Sequence, residues 1–253
     1  MSLKELKKNP TDHDLDFLHT CTKDELEPIV AELQGKDDDG NIDWKGRSTS
    51  ELQETANFIA FFPDHTHYVD EIIAELERFG SNGIATAVRG YGVPYREVLQ
   101  DVCGKFKLKD LSESVEECEC RLLEAVMNIA WDKMDEDARR KLLDALKLPD
   151  SIPQGATIGK AVIQGLMMGG AVACQVSAVV TSLIASVLVG HGVALGGSVV
   201  AGRALGFLLG PVVAALAGLW LLADLAGPAF RVTIPSCIYI AALRQMKKYE
   251  GAR

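Results

Sequence analysis

The stretch that decides the fold is residues 161–202, AVIQGLMMGGAVACQVSAVVTSLIASVLVGHGVALGGSVVAG, which contains no Asp, Glu, Lys or Arg. A second uncharged run covers residues 204–223. A helix that crosses a bilayer needs about 20 predominantly apolar residues, so this region has room for two such helices. The Gly-His-Gly sequence at 190–192 is typical of a turn. The sequence therefore predicts an antiparallel helical hairpin formed by residues 156–190 and 193–223.

Glycines four residues apart recur within and beyond this stretch. Glycines at that spacing lie on one face of a helix and let another backbone approach closely, which is how helices associate in lipid. A tightly packed Gly/Ala core of a soluble protein is the alternative, although each glycine in a helix interior costs roughly 1 kcal/mol. The glycines to which we assign helix packing, within a membrane or between copies of the chain, are Gly165, Gly169, Gly202, Gly206 and Gly210.

Single charged and aromatic residues at the edges of the apolar run fit a membrane interface. Arg203 interrupts the run, and in lipid its side chain would reach the interface or face a pore. In a soluble bundle it would instead form a buried or peripheral ion pair. Trp220, near the far end of the run, fits an interfacial aromatic. The flanking cations, which anionic lipid would attract, are Lys160, Arg231, Arg244, Lys247 and Lys248.

Charge is divided unevenly along the chain. Residues 1–150 hold 19 Lys and Arg against 33 Asp and Glu, whereas residues 151–253 hold 7 against 2. This change predicts two domains, an acidic helical domain over 1–150 and a Gly-rich apolar hairpin with a C-terminal amphipathic helix over 151–253. The formal net charge of −9 argues against nucleic-acid binding, because phosphate contacts need a concentrated basic face.

Local signals before residue 150 are helical. The segments 22–25 and 48–51 are capping boxes, and Asp135 is suited to cap a further helix. Residues 67–79 carry apolar side chains at i, i+3, i+4 and i+7. The sequence therefore predicts an all-α fold with helices over 23–34, 49–62, 67–79, 95–106, 114–134, from 135 to about 148 and, after the apolar run, 235–248.

The sequence offers no complete set of catalytic or metal-binding residues. Residues 35–46 resemble part of a calcium loop, but glycines stand at its first and twelfth positions, where ligands are required. His65 and His67 have no third and fourth ligand at a recognised spacing, and we interpret them as a helix N-terminus. The six cysteines show no CxxC spacing, which favours free thiols in a reducing compartment. We therefore expect no enzyme activity, no metal and no cofactor.

Three segments resemble the YaaW-like family of bacterial proteins: DLDFLHTCTKDELEPIVAEL (14–33), IAELERFGSNGIATAVRGYGVPYREVLQDVCGKFKL (73–108) and GPAFRVTIPSCIYIAALR (227–244). The resemblance extends over nearly the whole chain, and the central FGxN…RGxGVxYxEVLxDVCxK pattern is its most specific part. That family is grouped remotely with ubiquinol-cytochrome c chaperones, which assemble a membrane complex. The resemblance implies no catalytic residues.

These observations favour a non-enzymatic protein that associates with or inserts into a membrane through the hairpin, forming a pore or oligomers through the glycine face. The expected partners are membrane lipid, further copies of the chain and an unidentified protein, but not nucleic acid. The alternative is a soluble protein-interaction or assembly-chaperone module that keeps the hairpin in its core. The first residues, MSLKELKKNPTD, lack the apolar segment of a secretory signal peptide. We therefore expect a cytoplasmic or cytoplasmic-membrane-associated protein.

Overall fold

A computed structural model of the chain describes residues 3–34, 51–81, 88–109, 114–148, 157–188 and 228–250. Short 3-10 helices cover Asp16–Thr20, Leu52–Glu54 and His65–His67. The β-structure in the described ranges is one isolated parallel bridge between Lys4 and Thr55, so the fold is all-α. The α-helices are α1 (Lys23–Gln34), α2 (Ala56–Phe61), α3 (Val69–Phe79), α4 (Tyr95–Lys105), α5 (Val115–Lys133), α6 (Glu136–Leu146), α7 (Ile158–Met167), α8 (Gly170–Leu188) and α9 (Pro228–Glu250).

Helix α1 begins where its capping box predicts. The Thr22 amide donates to the Glu25 carboxylate at 2.7 Å, and the Glu25 amide donates to the Thr22 hydroxyl at 3.3 Å. Ser114 and Asp135 accept amides in the first turns of α5 and α6 in the same way. These side chains satisfy amides that a helix N-terminus leaves without an intrahelical partner, so the predicted starts are confirmed.

The helix predicted over residues 49–62 is wrong in its start. Helix α2 begins only at Ala56, where the Thr55 hydroxyl accepts a first-turn amide. Glu51, the last residue of the predicted capping box, is held elsewhere because its backbone amide donates to the buried Glu75 carboxylate at 2.8 Å. The first three residues of that capping box lie outside the described ranges.

The helix predicted over 235–248 is also wrong in its start, because α9 begins at Pro228 and contains Pro235 in its interior. A proline inside a helix removes one hydrogen bond and crowds the preceding turn. The residues around it are nevertheless almost all buried, from Val232 to Leu243. Packing of that kind outweighs local propensity.

The chain forms two compact units. Unit 1 contains Met1–Leu111 and Ala223–Cys237, and unit 2 contains Ser112–Leu222 and Ile238–Arg253. Helices α1 to α4 therefore belong to unit 1 and α5 to α8 to unit 2. The units divide the chain at a different place from the change in charge near residue 150, because helices α5 and α6, which precede that residue, group with the apolar α7 and α8.

In unit 2 the first arm of the predicted hairpin, residues 156–190, is not one helix. It is broken between α7 and α8, where Gly169 and Gly170 adopt positive φ angles of 69° and 56°. This left-handed conformation ends helices and favours glycine. The two helices pack against each other, and α7 also packs against α5. The second arm, 193–223, lies outside the described residues.

The glycines of α7 make close contacts. A β-carbon on Gly159 would lie 2.3 Å from the Glu124 backbone oxygen, and one on Gly165 would lie 3.0 Å from a Val176 methyl. Gly169, in contrast, lies in the turn and faces no atom within 4 Å of its β-carbon position. Its assignment to helix packing is therefore corrected: this glycine ends α7.

Two further features of the described residues are the length of their helices and the pairing of their cysteines. Among their helices, none is both long enough and apolar enough to cross a bilayer. All six cysteines lie in the described ranges, and none of them forms a disulfide, as the cysteine spacing predicts.

Candidate functional site

Helix α2 in unit 1 is apolar and yet buries none of its side chains. The side chains of Ile59, Phe61 and Phe62 are 63%, 43% and 47% exposed. We call these three residues the α2 surface. Single exposed apolar residues are ordinary, but three large ones within four consecutive positions are a candidate site for interaction.

Ring contacts fix the aromatic side chains of the α2 surface. The Phe62 ring stacks on Phe58 with centroids 5.0 Å apart, and Phe58 in turn lies 5.3 Å from the ring of the buried Tyr68. Phe61 stacks on His67 at 4.3 Å. Phe62 is therefore linked through Phe58 to the buried Tyr68, and Phe61 is held against the half-exposed His67, so an occupant would lose less conformational entropy in ordering them.

A buried chain of polar groups lies beneath these rings. His65 is fully buried, and its Nε2 lies 2.5 Å from a Glu27 carboxylate oxygen while its Nδ1 lies 2.5 Å from the Tyr68 hydroxyl. Burial, together with the negative charges of Glu27 and Asp64, raises the pKa of Tyr68, so its hydroxyl stays protonated. The chain ties the turn before α3 to α1.

This geometry favours a structural role for His65. Both ring nitrogens are engaged, by the buried Tyr68 hydroxyl and by the half-buried Glu27 carboxylate, and a general base needs a nitrogen within reach of a substrate proton. The described residues also contain no cluster of three or more His, Cys, Asp or Glu side chains that could hold a metal ion. His65 and His67 form a 3-10 turn that Asp64 caps directly before α3, which agrees with their interpretation as a helix N-terminus, and His67 lies on its exposed side.

Acidic side chains border the α2 surface. The Glu71 carboxylate accepts from the Asn57 side chain of α2 at 2.5 Å. Asp64 lies 3.5 Å from His67, the residue on which Phe61 stacks. A hydrogen bond from the Thr66 hydroxyl lowers the pKa of Asp64, so this carboxylate remains charged well below neutral pH.

A second buried polar group holds the N-terminal segment on α3. The Asn9 amide donates to the fully buried Glu77 carboxylate at 2.7 Å, and the Asn9 side chain donates to the Gly92 carbonyl at 3.2 Å. Burial raises the pKa of Glu77 to about 8, and the nearby Asp12 adds to the rise. Gly92 is required here, because a β-carbon would lie 2.3 Å from the Glu77 backbone carbon.

Two of the predicted flanking cations are held by acids of α5. Arg244 donates two hydrogen bonds, at 2.6 and 3.1 Å, to the buried Glu119 carboxylate. Lys248 pairs with Glu116 on the same helix, α5. The pairing with a buried acid corrects the expectation that Arg244 faces lipid. Lys248 is about half exposed, so its predicted contact with lipid stays a prediction.

Of the other predicted site residues, some lie in the described ranges and the rest lie outside them. Lys247 pairs with Glu250 at 2.8 Å, Lys160 is exposed and Arg231 is half-buried. The rest, which lie outside the described residues, are Gly202, Arg203, Gly206, Gly210 and Trp220.

Sequence reasoning missed both buried polar groups. His65 carried a signal only as a possible metal ligand, and its partner Glu27 lies 38 residues away. The pattern RGxGVxY does contain Gly92 and Tyr95, whose amide donates to Asp12 at 2.5 Å. That contact spans 83 residues, so no local period could indicate it.

The chain is similar over most of its length to bacterial proteins. It is 32% identical to a UPF0174 protein of Helicobacter pylori (strain J99) over 237 residues, which cover 92% of this chain and 91% of the relative. It is 34% identical to the UPF0174 protein YaaW of Escherichia coli (strain K12) over 246 residues, which cover 93% and 94%. No protein-family model and no solved structure matches the chain.

Proposed function

The chain belongs to the UPF0174 family, to which YaaW of Escherichia coli belongs, and from this premise we propose that it is a non-enzymatic protein-interaction or assembly module. In this proposal the apolar helices α7 and α8 form part of the module's own core. The acidic helices and the α2 surface face its partners.

The observation that carries the proposal is the burial of α8. The Thr181 hydroxyl of this helix is fully buried and donates to the Ala242 carbonyl of α9 at 3.0 Å. Such a hydrogen bond supports a packed position, since a hydroxyl buried without a partner would cost a few kcal/mol. The apolar side chains of α8 that are also buried are Ala173, Val176, Val179, Val180, Leu183, Ile184 and Ala185.

Hydrogen exchange and vesicle flotation test this proposal. If α8 is a core helix, its amides exchange slowly in the absence of lipid, and the protein stays with the lipid-free fraction in flotation with phosphatidylglycerol vesicles. Rapid exchange throughout 170–188 in the folded protein, or flotation of most of the protein at neutral pH, would contradict the proposal.

A second candidate function is membrane association, and one observation favours it. Met167 and Met168, at the turn between α7 and α8, are 78% and 73% exposed, and flexible apolar side chains at a helical turn are suited to enter a bilayer interface. The 33 acids of residues 1–150 would be repelled by anionic lipid, so vesicle binding should strengthen as pH falls toward about 4.5. Loss of that binding in a Met167→Ser, Met168→Ser variant would assign it to this turn.

A further inference from the structure

We infer that the α2 surface is a docking site for a cationic amphipathic segment of another protein, one that presents apolar side chains on one face and Lys or Arg beside them. The inference rests on the proposed function as an interaction module and names the chemistry of the partner. Its first support is that Ile59, Phe61 and Phe62 are exposed and that both phenylalanine rings already stack on a neighbouring ring. A pre-ordered surface binds with less loss of conformational entropy.

The sign of the partner's charge follows from the residues around the surface. Residues 51–71 contain five Asp and Glu and no Lys or Arg. Two of these acids lie beside α2. Glu71 accepts a hydrogen bond from Asn57 of α2, and Asp64 lies next to His67, on which Phe61 stacks. Glu51 and Asp70 are already paired, with Lys4 and Arg78 and with His19 respectively. Beside Asp64 lie His67 and Lys23, the latter acting on it electrostatically. Acids of this kind attract a cationic partner and raise its association rate.

The same charges argue against other occupants. The chain has a formal net charge of −9, so a second copy docking through the same surface would oppose acid to acid. Anionic lipid would be repelled for the same reason. A segment with Lys and Arg satisfies the acids, and its cations also interact favourably with the faces of exposed aromatic rings.

The test uses the full chain and a synthetic amphipathic peptide of Leu and Lys, about 18 residues or five helical turns long. A peptide with the same Leu face and Glu in place of Lys is the comparison. Binding of each labelled peptide is followed by fluorescence anisotropy. We expect the Lys peptide to bind and the Glu peptide to bind at least about tenfold more weakly, a difference that shrinks as salt screens the charges.

Three variants locate the binding. The double variant Phe61→Ser, Phe62→Ser should bind the Lys peptide at least about tenfold more weakly, because aromatic side chains contribute most of the binding energy at interfaces. Asp64→Asn with Glu71→Gln keeps the hydrogen-bond acceptors and should remove most of the discrimination between the two peptides. Val88→Ser is the matched control, an apolar residue of unit 1 that is 83% exposed, and should leave binding unchanged. All these side chains are at least partly exposed, and circular dichroism checks that each variant folds.

Equal binding of the two peptides, or an equal loss in the Val88→Ser control, would overturn the docking site. Flotation on anionic vesicles that depends on Phe61 and Phe62 would overturn it in favour of a lipid surface. The proposed function fails separately, through flotation of the wild-type chain or rapid exchange of α8. Peptide binding that depends on Phe61 and Phe62 would still support the docking site in that case.

Discussion

Two apolar helices of this chain differ in burial, since α2 is exposed and α8 is buried. Helix α2 buries none of its side chains, whereas α8 places most of its apolar side chains in the core of unit 2 and hydrogen-bonds its Thr181 to α9. Apolar composition therefore does not separate a core helix from an interaction surface in this protein. What separates them is whether other helices of the same chain cover the apolar face.

The buried acids of the two units differ in a similar way. Glu119 in unit 2 is held by the guanidinium of Arg244. Glu77 in unit 1 is held by the Asn9 backbone amide and lies near a second carboxyl, Asp12. A buried carboxylate beside a cation remains charged, whereas burial near another acid favours the protonated form. The two units should therefore respond differently to mutation and to pH.

The largest effect is expected from the ion pair that holds α9 on α5. Arg244→Met leaves the buried Glu119 carboxylate without its guanidinium, so we expect a loss of about 3–5 kcal/mol in the free energy of unfolding. Lys248→Met is the control, because the Lys248 and Glu116 side chains are both largely exposed and such pairs are worth about 0–1 kcal/mol. Urea denaturation measures both. Similar losses in the two variants would contradict the assignment of Arg244 to a buried pair.

A matched pair of isoleucines tests the contrast between α8 and α2 directly. Ile184 in α8 is fully buried and Ile59 in α2 is mostly exposed. Ile184→Ala should lower the free energy of unfolding by about 2–5 kcal/mol, because it leaves a cavity. Ile59→Ala should change it by less than about 0.5 kcal/mol. Comparable losses at the two positions would show that α2 is covered in solution, which would remove the basis of the docking site.

A matched pair of glycines in unit 1 should give effects of opposite sign. Gly92→Ala places a β-carbon against the backbone at Glu77, so we expect a loss of about 1–3 kcal/mol. Gly104 lies within α4 with no atom near its β-carbon position, so Gly104→Ala should stabilise the protein by about 0.5–1 kcal/mol. Thermal denaturation measures both variants. A stabilising Gly92→Ala would mean that the loop does not approach α3 closely.

Short-range signals in the sequence predicted the parts of the fold that depend on them. The capping residues Thr22, Ser114 and Asp135 predicted three helix starts, because each satisfies amides within its own first turn. The break at Gly169 and Gly170 also had a local signal, the paired glycines, but residues 156–190 were interpreted as a single arm of the hairpin. A long apolar run gives no information on which helices cover it.

Long-range contacts were beyond the reach of a single sequence. Glu119 and Arg244 are 125 residues apart, so the arginine was interpreted as a lipid-facing cation. The α2 surface was missed for a related reason. The sequence predicts a helix over 49–62 but not which of its faces is covered, and the exposure of Phe61 and Phe62 depends on how the other elements of unit 1 pack around them. The exposed or buried state of a side chain follows from packing, which one sequence does not encode locally.

The smallest expected effect concerns Glu77 and sharpens the contrast between the two buried acids. Its pKa in the folded protein is about 8, above the ordinary value of 4.5. Between these two pH values the folded state keeps a proton that the unfolded state has lost. The stabilising contribution of protonated Glu77 is fully present below about pH 4.5 and is lost as pH rises toward 8. We expect the free energy of unfolding to fall by about 1 kcal/mol between pH 7 and 8. In Glu77→Gln, which cannot ionise, that part of the slope should disappear, while the histidines contribute equally to both proteins and cancel in the difference.

The carboxyls with lowered pKa values, Asp16, Asp64, Glu116 and Asp137, act with the opposite sign and only below about pH 5. Parallel pH profiles for the wild type and Glu77→Gln would show that Glu77 is charged in the folded protein and is therefore held as Glu119 is.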